Sequence, residues 1–171
     1  TGDSATVEGD GVEVNGSTVT ITAGGVYAVS GTLNGGIVAS APKTVEVELI
    51  LNGGDITGGD NAAIYCAHAE ALTATLDAGS ANTLNDAGEY AYADVAAEEP
   101  DAALFSKCDL NITGAGSLTV NSNFNNGIGT KDDLVIVGGT LAVTAANHGI
   151  RGRDSVTVTG GTFTIASGAD G

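Results

Sequence analysis

The chain is 171 residues long, enough for one domain with a continuous apolar core, and it carries 27 glycines, two prolines and no tryptophan or methionine. Its 21 acidic and 5 basic side chains leave a formal charge of −16, which excludes the phosphate-neutralising surface of a nucleic-acid binder and disfavours an anionic membrane face. No run of 18 apolar residues occurs, so no membrane-spanning helix is predicted. Abundant Gly beside Val, Thr, Ile and Ala, without a collagen period, predicts many short strands joined by tight turns. No basic-then-apolar segment opens at Thr1, as expected of a mature chain whose export signal has been removed.

In chain order, residues 19–22, 26–30 and 36–39 read as the first strands. Val45, Val47, Leu49 and Leu51 then alternate and lead into Gly53-Gly54-Asp55-Ile56. Ala62-Ala63-Ile64-Tyr65 is echoed 40 residues later by Ala102-Ala103-Leu104-Phe105, so the coil between them carries an insertion. We place this insertion at about residues 80–100, which show no strand pattern. It brings Asp86, Glu89, Asp94, Glu98 and Glu99, with Tyr90 and Tyr92 among them and Asp101 just beyond. A copy beginning at Ala103 leads the stretch 126–144 by 24 residues, and that stretch leads 148–166 by 22. Gly127 maps onto Gly149, Lys131 onto Arg153, Asp132 onto Asp154 and Gly139 onto Gly161.

Each copy contains three short segments. In the last, Val156, Val158, Phe163 and Ile165 alternate with Thr157, Thr159 and Thr164 around a Gly-Gly turn. An internal repeat of this size predicts an all-β fold, a parallel β-helix of about 22 residues and three short strands per coil, spanning residues 1–171 as one domain. Equivalent residues of successive coils then stack about 4.8 Å apart. An antiparallel sandwich does not explain a constant 22-residue offset, and the leucine and asparagine pattern of a leucine-rich horseshoe is missing.

The segments AALFSKCDLNITGAGSLTV, NNGIGTKDDLVIVGGTLAVTA and HGIRGRDSVTVTGGTFTI, with NAAIY and NTLNDAGEYAY upstream, resemble a bacterial carbohydrate-binding domain family, the cellulose- and pectin-binding β-helix proteins of cellulolytic bacteria. The resemblance runs from about residue 19 onward. It implies a right-handed single-stranded parallel β-helix with a pectate-lyase-like fold. It also implies an extracellular or cell-surface location, calcium as cofactor, and affinity for acidic plant polysaccharide. Two departures stand out. Cys108 replaces the first Asp of the family's Lys-Asp-Asp, and the family's coils after GIRGRDSV do not follow.

Stacking turns the repeat into side-chain ladders. One is Lys107, Lys131, Arg153; the next is Cys108, Asp132, Asp154; a third is Asp109, Asp133, Ser155. Carboxylates one strand spacing apart repel unless a basic neighbour or a hard, oxygen-seeking cation pairs them. Asp109, Asp132, Asp133 and Asp154 are therefore candidate calcium ligands, with ion pairing to Lys131 and Arg153 as the competing reading. Asp101 and Asp170 join the candidate set from a polar turn cluster that also holds Asn61, Asn125, Asn126, Asn147 and His148. In that cluster the asparagines are expected to hydrogen-bond along the stack.

Candidate polysaccharide contacts are Lys107, Lys131, Arg151 and Arg153, with Tyr90, Tyr92 and Phe124 as stacking aromatics; Phe105 and Phe163 occupy core-like positions. His68 and His148 share no metal-ligand spacing, and no Ser-His-Asp or zinc motif occurs, so binding without catalysis is expected. Cys66 and Cys108 permit one disulfide, which their spacing does not decide. A different function class also follows: residues 19–33 could extend the 162–166 end of another copy, building a filament by head-to-tail stacking.

Overall fold

The computed structural model describes residues 2–92, 96 and 99–171; Asp94 and Glu98 of the predicted insertion lie outside these. Six coils stack as a parallel β-solenoid. The first two hold β2 (Thr18–Ile21) with β3 (Gly25–Asn34), and β4 (Ile37–Ser40) with β5 (Val47–Thr57), after an N-terminal strand β1 (Val12–Asn15). The third holds β6 (Ile64–His68), β7 (Ala71–Leu76) and β8 (Ala81–Asn85). The fourth holds β9 (Ala102–Ser106), β10 (Asp109–Gly114) and β11 (Ser117–Ser122). The fifth holds β12 (Asn126–Thr130), β13 (Asp133–Ile136) and β14 (Thr140–Ala145). The sixth holds β15 (Ile150–Gly152), β16 (Ser155–Val158) and β17 (Thr162–Ser167). Among the described residues no helix is long and apolar enough to cross a membrane.

Two sheets wrap the lumen. The seven-stranded sheet runs β1-β2-β4-β6-β9-β12-β15. The other holds ten strands, and the 11-residue β5 pairs with both β7 and β8 because it bends where later coils break into two strands. Alternation puts every second residue inside. The inward ladders are Ile37–Ile64–Leu104–Ile128–Ile150, Val47–Leu72–Leu110–Leu134–Val156 and Ile56–Leu84–Val120–Val143–Ile165. Each fully buried aliphatic side chain contributes about 1.5–3 kcal/mol. The repeat register is as the sequence predicts: Ile128 pairs with Leu104, 24 residues earlier, and with Ile150, 22 residues later.

The Gly-Gly turns divide two tasks. Gly139 and Gly161 adopt φ of 93° and 109°, which a side chain resists. At Gly138 and Gly160 a Cβ would lie 2.8 Å from the Gly114 carbonyl oxygen and 2.4 Å from that of Val137, so the neighbouring coil leaves it no room.

Three expectations change. Residues 81–85 of the predicted loop form β8, hidden from a hydrophobicity reading because one of its two inward positions, beside Leu84, is Asn82. That buried amide is satisfied by accepting the Gly53 and Gly54 N–H groups at 2.9 Å and donating to Ser80 Oγ and the Ser117 carbonyl. Phe105 does not enter the lumen. It sits outward between the inward Leu104 and Ser106, yet is only 2 % exposed because the end of the insertion crosses that face. Finally, the edge at residues 19–33 is partly taken. β1 pairs antiparallel with β2, and Gly2 bridges Leu33, so a strand from another copy has no open edge at residues 19–21.

Candidate functional site

The acid-rich corner forms where the seven-stranded sheet turns into β10, β13 and β16. The strands position it. The Lys131 and Arg153 amides donate to the Ser106 and Thr130 carbonyls of the preceding coil, and Asp133 pairs with Ser155. Asp109, Asp132 and Asp133 are exposed and can bring one carboxylate oxygen each to within 4.8 Å of one another. Oxygens bound to one calcium ion at about 2.3–2.6 Å lie no more than about 5 Å apart, so these three fit a hard divalent cation. The Asp133 amide donates to Asp109 Oδ1 at 3.3 Å, and the Ser155 hydroxyl to Asp133 Oδ1 at 2.7 Å. Below them the Asp132 amide donates to Thr130 Oγ1, which itself donates to the Cys108 carbonyl. The Asp132 carboxyl is held above the ordinary carboxylate range, first by lost hydration among its neighbours and then by repulsion from Asp109, Asp154 and Asp133.

The lysines of the same repeat do not neutralise this corner. Lys107 Nζ lies 3.0 Å from Glu99, and Lys131 pairs with the other oxygen of the same carboxylate. Glu99 is only 11 % exposed; burial pushes its carboxyl up, but the Lys131 and Lys107 hydrogen bonds outweigh this and hold it below the ordinary range. The competing reading, ion pairing of the Asp ladder with Lys131 or Arg153, is not seen among the described residues. Lys131 turns to the insertion, and Arg153 stays exposed at the corner.

The six predicted metal ligands divide into two groups. Asp109, Asp132 and Asp133 converge, with Asp154 close enough to Asp132 to raise it. Asp101 and Asp170 lie at the opposite end of the same strands. Asp101 is half-buried with Oδ2 3.5 Å from Arg151 Nη1, and its carboxyl is raised by burial against the pull of Arg151 and Lys131. Asp170 is 98 % exposed, 3.8 Å from His148 Nδ1. Nearby asparagines stack as expected: Asn147 donates to Asn125 Oδ1 at 2.9 Å and Asn126 to the Asp101 carbonyl at 3.1 Å.

The predicted aromatic contacts hold the insertion in place. Tyr90 stacks on Phe124 at 4.3 Å between centroids, and Tyr92 meets both rings edge-on. The Tyr90 hydroxyl donates to Asp86, which also accepts from Ser122 and the Asn123 amide. Burial, then the Asp86 charge, pushes the Tyr90 hydroxyl well up. The sequence reading missed Tyr65. It lies half-buried on the outer face of β6, over a depression of about 220 Å³ that Val38, Thr18, Asp60 and Asn61 also line. Its outward phase was available from the alternation Ile64–Tyr65–Cys66.

A parallel solenoid with an exposed carboxylate corner and an aromatic-floored depression is the architecture of an extended-surface binding domain. The carbohydrate-binding domain family profile matches residues 15–171, and the chain belongs to that family. A carbohydrate-binding domain-containing protein of Acetivibrio thermocellus is 45 % identical over 137 residues, 80 % of this chain and 48 % of the relative. The chain thus spans about half the length of that curated relative. A solved structure described as the polysaccharide lyase-like protein from C. thermocellum, gadolinium derivative, superposes with a TM-score of 0.84 at 35 % identity, over 94 % of this chain and 77 % of that one.

Proposed function

We propose that the chain binds acidic, pectin-like polysaccharide outside the cell through calcium held at the Asp109–Asp132–Asp133 corner, and that it does so without cleaving the polymer. The observation that carries this reading is the convergence of three exposed carboxylates that no lysine neutralises, on a chain of the carbohydrate-binding family. An acidic protein and a uronic-acid polymer repel each other, and a divalent cation shared between their carboxylates reverses the sign. A solved relative described as a gadolinium derivative is consistent with hard-cation affinity, since a lanthanide also prefers oxygen ligands. Glu99 draws Lys107 and Lys131 away from the corner, which disfavours elimination with either as base and leaves Arg153, exposed, as the one basic side chain of that ladder that Glu99 does not hold. Tyr65 offers a ring for a sugar in a separate depression on the earlier coils.

The test is retention on immobilised polygalacturonate with calcium, after exhaustive chelation, and after calcium is restored. Binding is expected to vanish with chelation and return with calcium. Undiminished retention after chelation refutes calcium bridging, and appearance of unsaturated products absorbing in the ultraviolet refutes the non-catalytic reading.

A further inference from the structure

Two thiols play no part in the carboxylate chemistry. Cys66 lies on β6 and Cys108 in the turn after β9, so they face each other across the third and fourth coils. Their Sγ atoms are 3.4 Å apart, both are unbridged, and both are buried. A disulfide needs the sulfurs at about 2.05 Å, so the remaining approach is within reach of side-chain rotation. The surroundings favour reaction over simple packing. Ser106 Oγ sits 3.3 Å from Cys108 Sγ and accepts the Cys108 amide N–H at 3.2 Å, a polar contact at the sulfur itself. Cys108 is also the more reachable of the two, 9 % exposed against 0 % for Cys66.

We propose that Cys66 and Cys108 are a dithiol pair that a low-molecular-weight disulfide oxidises to a cross-link between the third and fourth coils. The Cys108 thiolate attacks one sulfur of the oxidant, forming a mixed disulfide and expelling a thiolate. Cys66 gives its proton to that thiolate and attacks Cys108 Sγ, releasing the second half of the oxidant as a thiolate that takes up from solvent the proton Cys108 had lost. Two electrons leave the protein sulfurs, and the oxidant departs as two thiols. The division of labour follows from the surroundings. Cys108 is the thiol that solvent reaches, with Ser106 Oγ 3.3 Å from its sulfur, whereas Cys66 is fully enclosed behind it. The hydrogen bond to Cys108 and then burial push the Cys66 thiol up. Cys108 is the attacking thiolate and Cys66 the resolving thiol.

The position gives the bond its effect. Ile64 and Leu104 pair across a 40-residue offset, against 24 and 22 in the next two coils, so Cys66 and Cys108 bracket the longest connection between coils. A cross-link across that connection removes the most freedom from the unfolded chain.

The experiment incubates the full chain with glutathione disulfide, denatures and alkylates it, and weighs it beside a dithiothreitol-reduced sample. The oxidised chain is expected to take up no alkylating agent, to weigh two hydrogens less than the reduced chain, and to yield a peptide joining Cys66 to Cys108. Its midpoint of thermal unfolding is expected to rise by roughly 5–15 °C. Cys66→Ser is expected to trap glutathione on Cys108, whereas Cys108→Ser takes up none. Two alkylated cysteines in the treated wild-type chain, or glutathione remaining on it, overturn the proposal whether or not either variant folds.

Discussion

The solenoid gathers carboxylates in two places and treats them in opposite ways. On the insertion face, Glu99 meets two ammonium groups and Asp86 meets three hydrogen-bond donors. At the corner of the same coils, Asp109, Asp132 and Asp133 meet one another. Both places draw on the same Lys-X-Asp ladder, and the insertion makes the difference by claiming the lysines. Matched acids hold a segment in place, whereas unmatched, exposed acids are left for something that arrives from solution.

The largest expected effect falls on the matched side. Asp86→Ala leaves the Tyr90 and Ser122 hydroxyls and the Asn123 amide without their acceptor, which costs on the order of 3 kcal/mol. Limited proteolysis is expected to cut the insertion sooner, and a denaturant midpoint measures the loss. On the unmatched side, the pair Asp132→Asn and Asp133→Asn is expected to lower calcium affinity by roughly 100-fold, since even outer-shell partners of a bound metal cost 10–100-fold when removed. Calorimetric titration reads it, and the same variant is expected to unfold no earlier than wild type without calcium, because it removes repulsion.

A smaller change tests the division itself. Glu99→Gln is expected to cost about 1–2 kcal/mol, below the figure for a fully buried pair because both lysines are more than a third exposed. If the released lysines then swing to the corner, calcium affinity falls as well. Unchanged affinity shows that the two regions are independent.

Acid separates the two regions with the smallest signal. Glu99 titrates below its unfolded value, so its contribution is present above that value and is lost as the pH falls through the lowered one. Asp132 titrates above its unfolded value, so without metal its charge costs stability as the pH rises through that interval. Calcium affinity is therefore expected to weaken before ordinary carboxylates protonate near pH 4, while the insertion stays in place. Calcium titrations across this range, with limited proteolysis reporting on the insertion, measure both.

The 22-residue offset between Gly127 and Gly149 made the stacking, the register and the ladders legible in the sequence, because in a parallel solenoid one repeat is one coil and equivalent residues must neighbour each other. Strand β8 was not legible, since Asn82 fills an inward position with an amide satisfied by Gly53, Gly54 and Ser117, residues far away in the chain. Tyr65 was passed over although the alternation Ile64–Tyr65–Cys66 gave its outward phase, and Phe105 is buried as expected but on the outer face, where its covering segment had to be placed by the fold.

The sequence by itself determined the coil, the Asp ladders and the existence of an insertion, since period-two alternation and a fixed repeat are properties of the chain read along its length. Only the tertiary structure decided which cations the acids receive. The Lys131 side chain can reach either the Asp132 corner or Glu99, and the fold settles that choice by laying the end of the insertion across β9 and β12, where Glu99 meets Lys107 and Lys131 together.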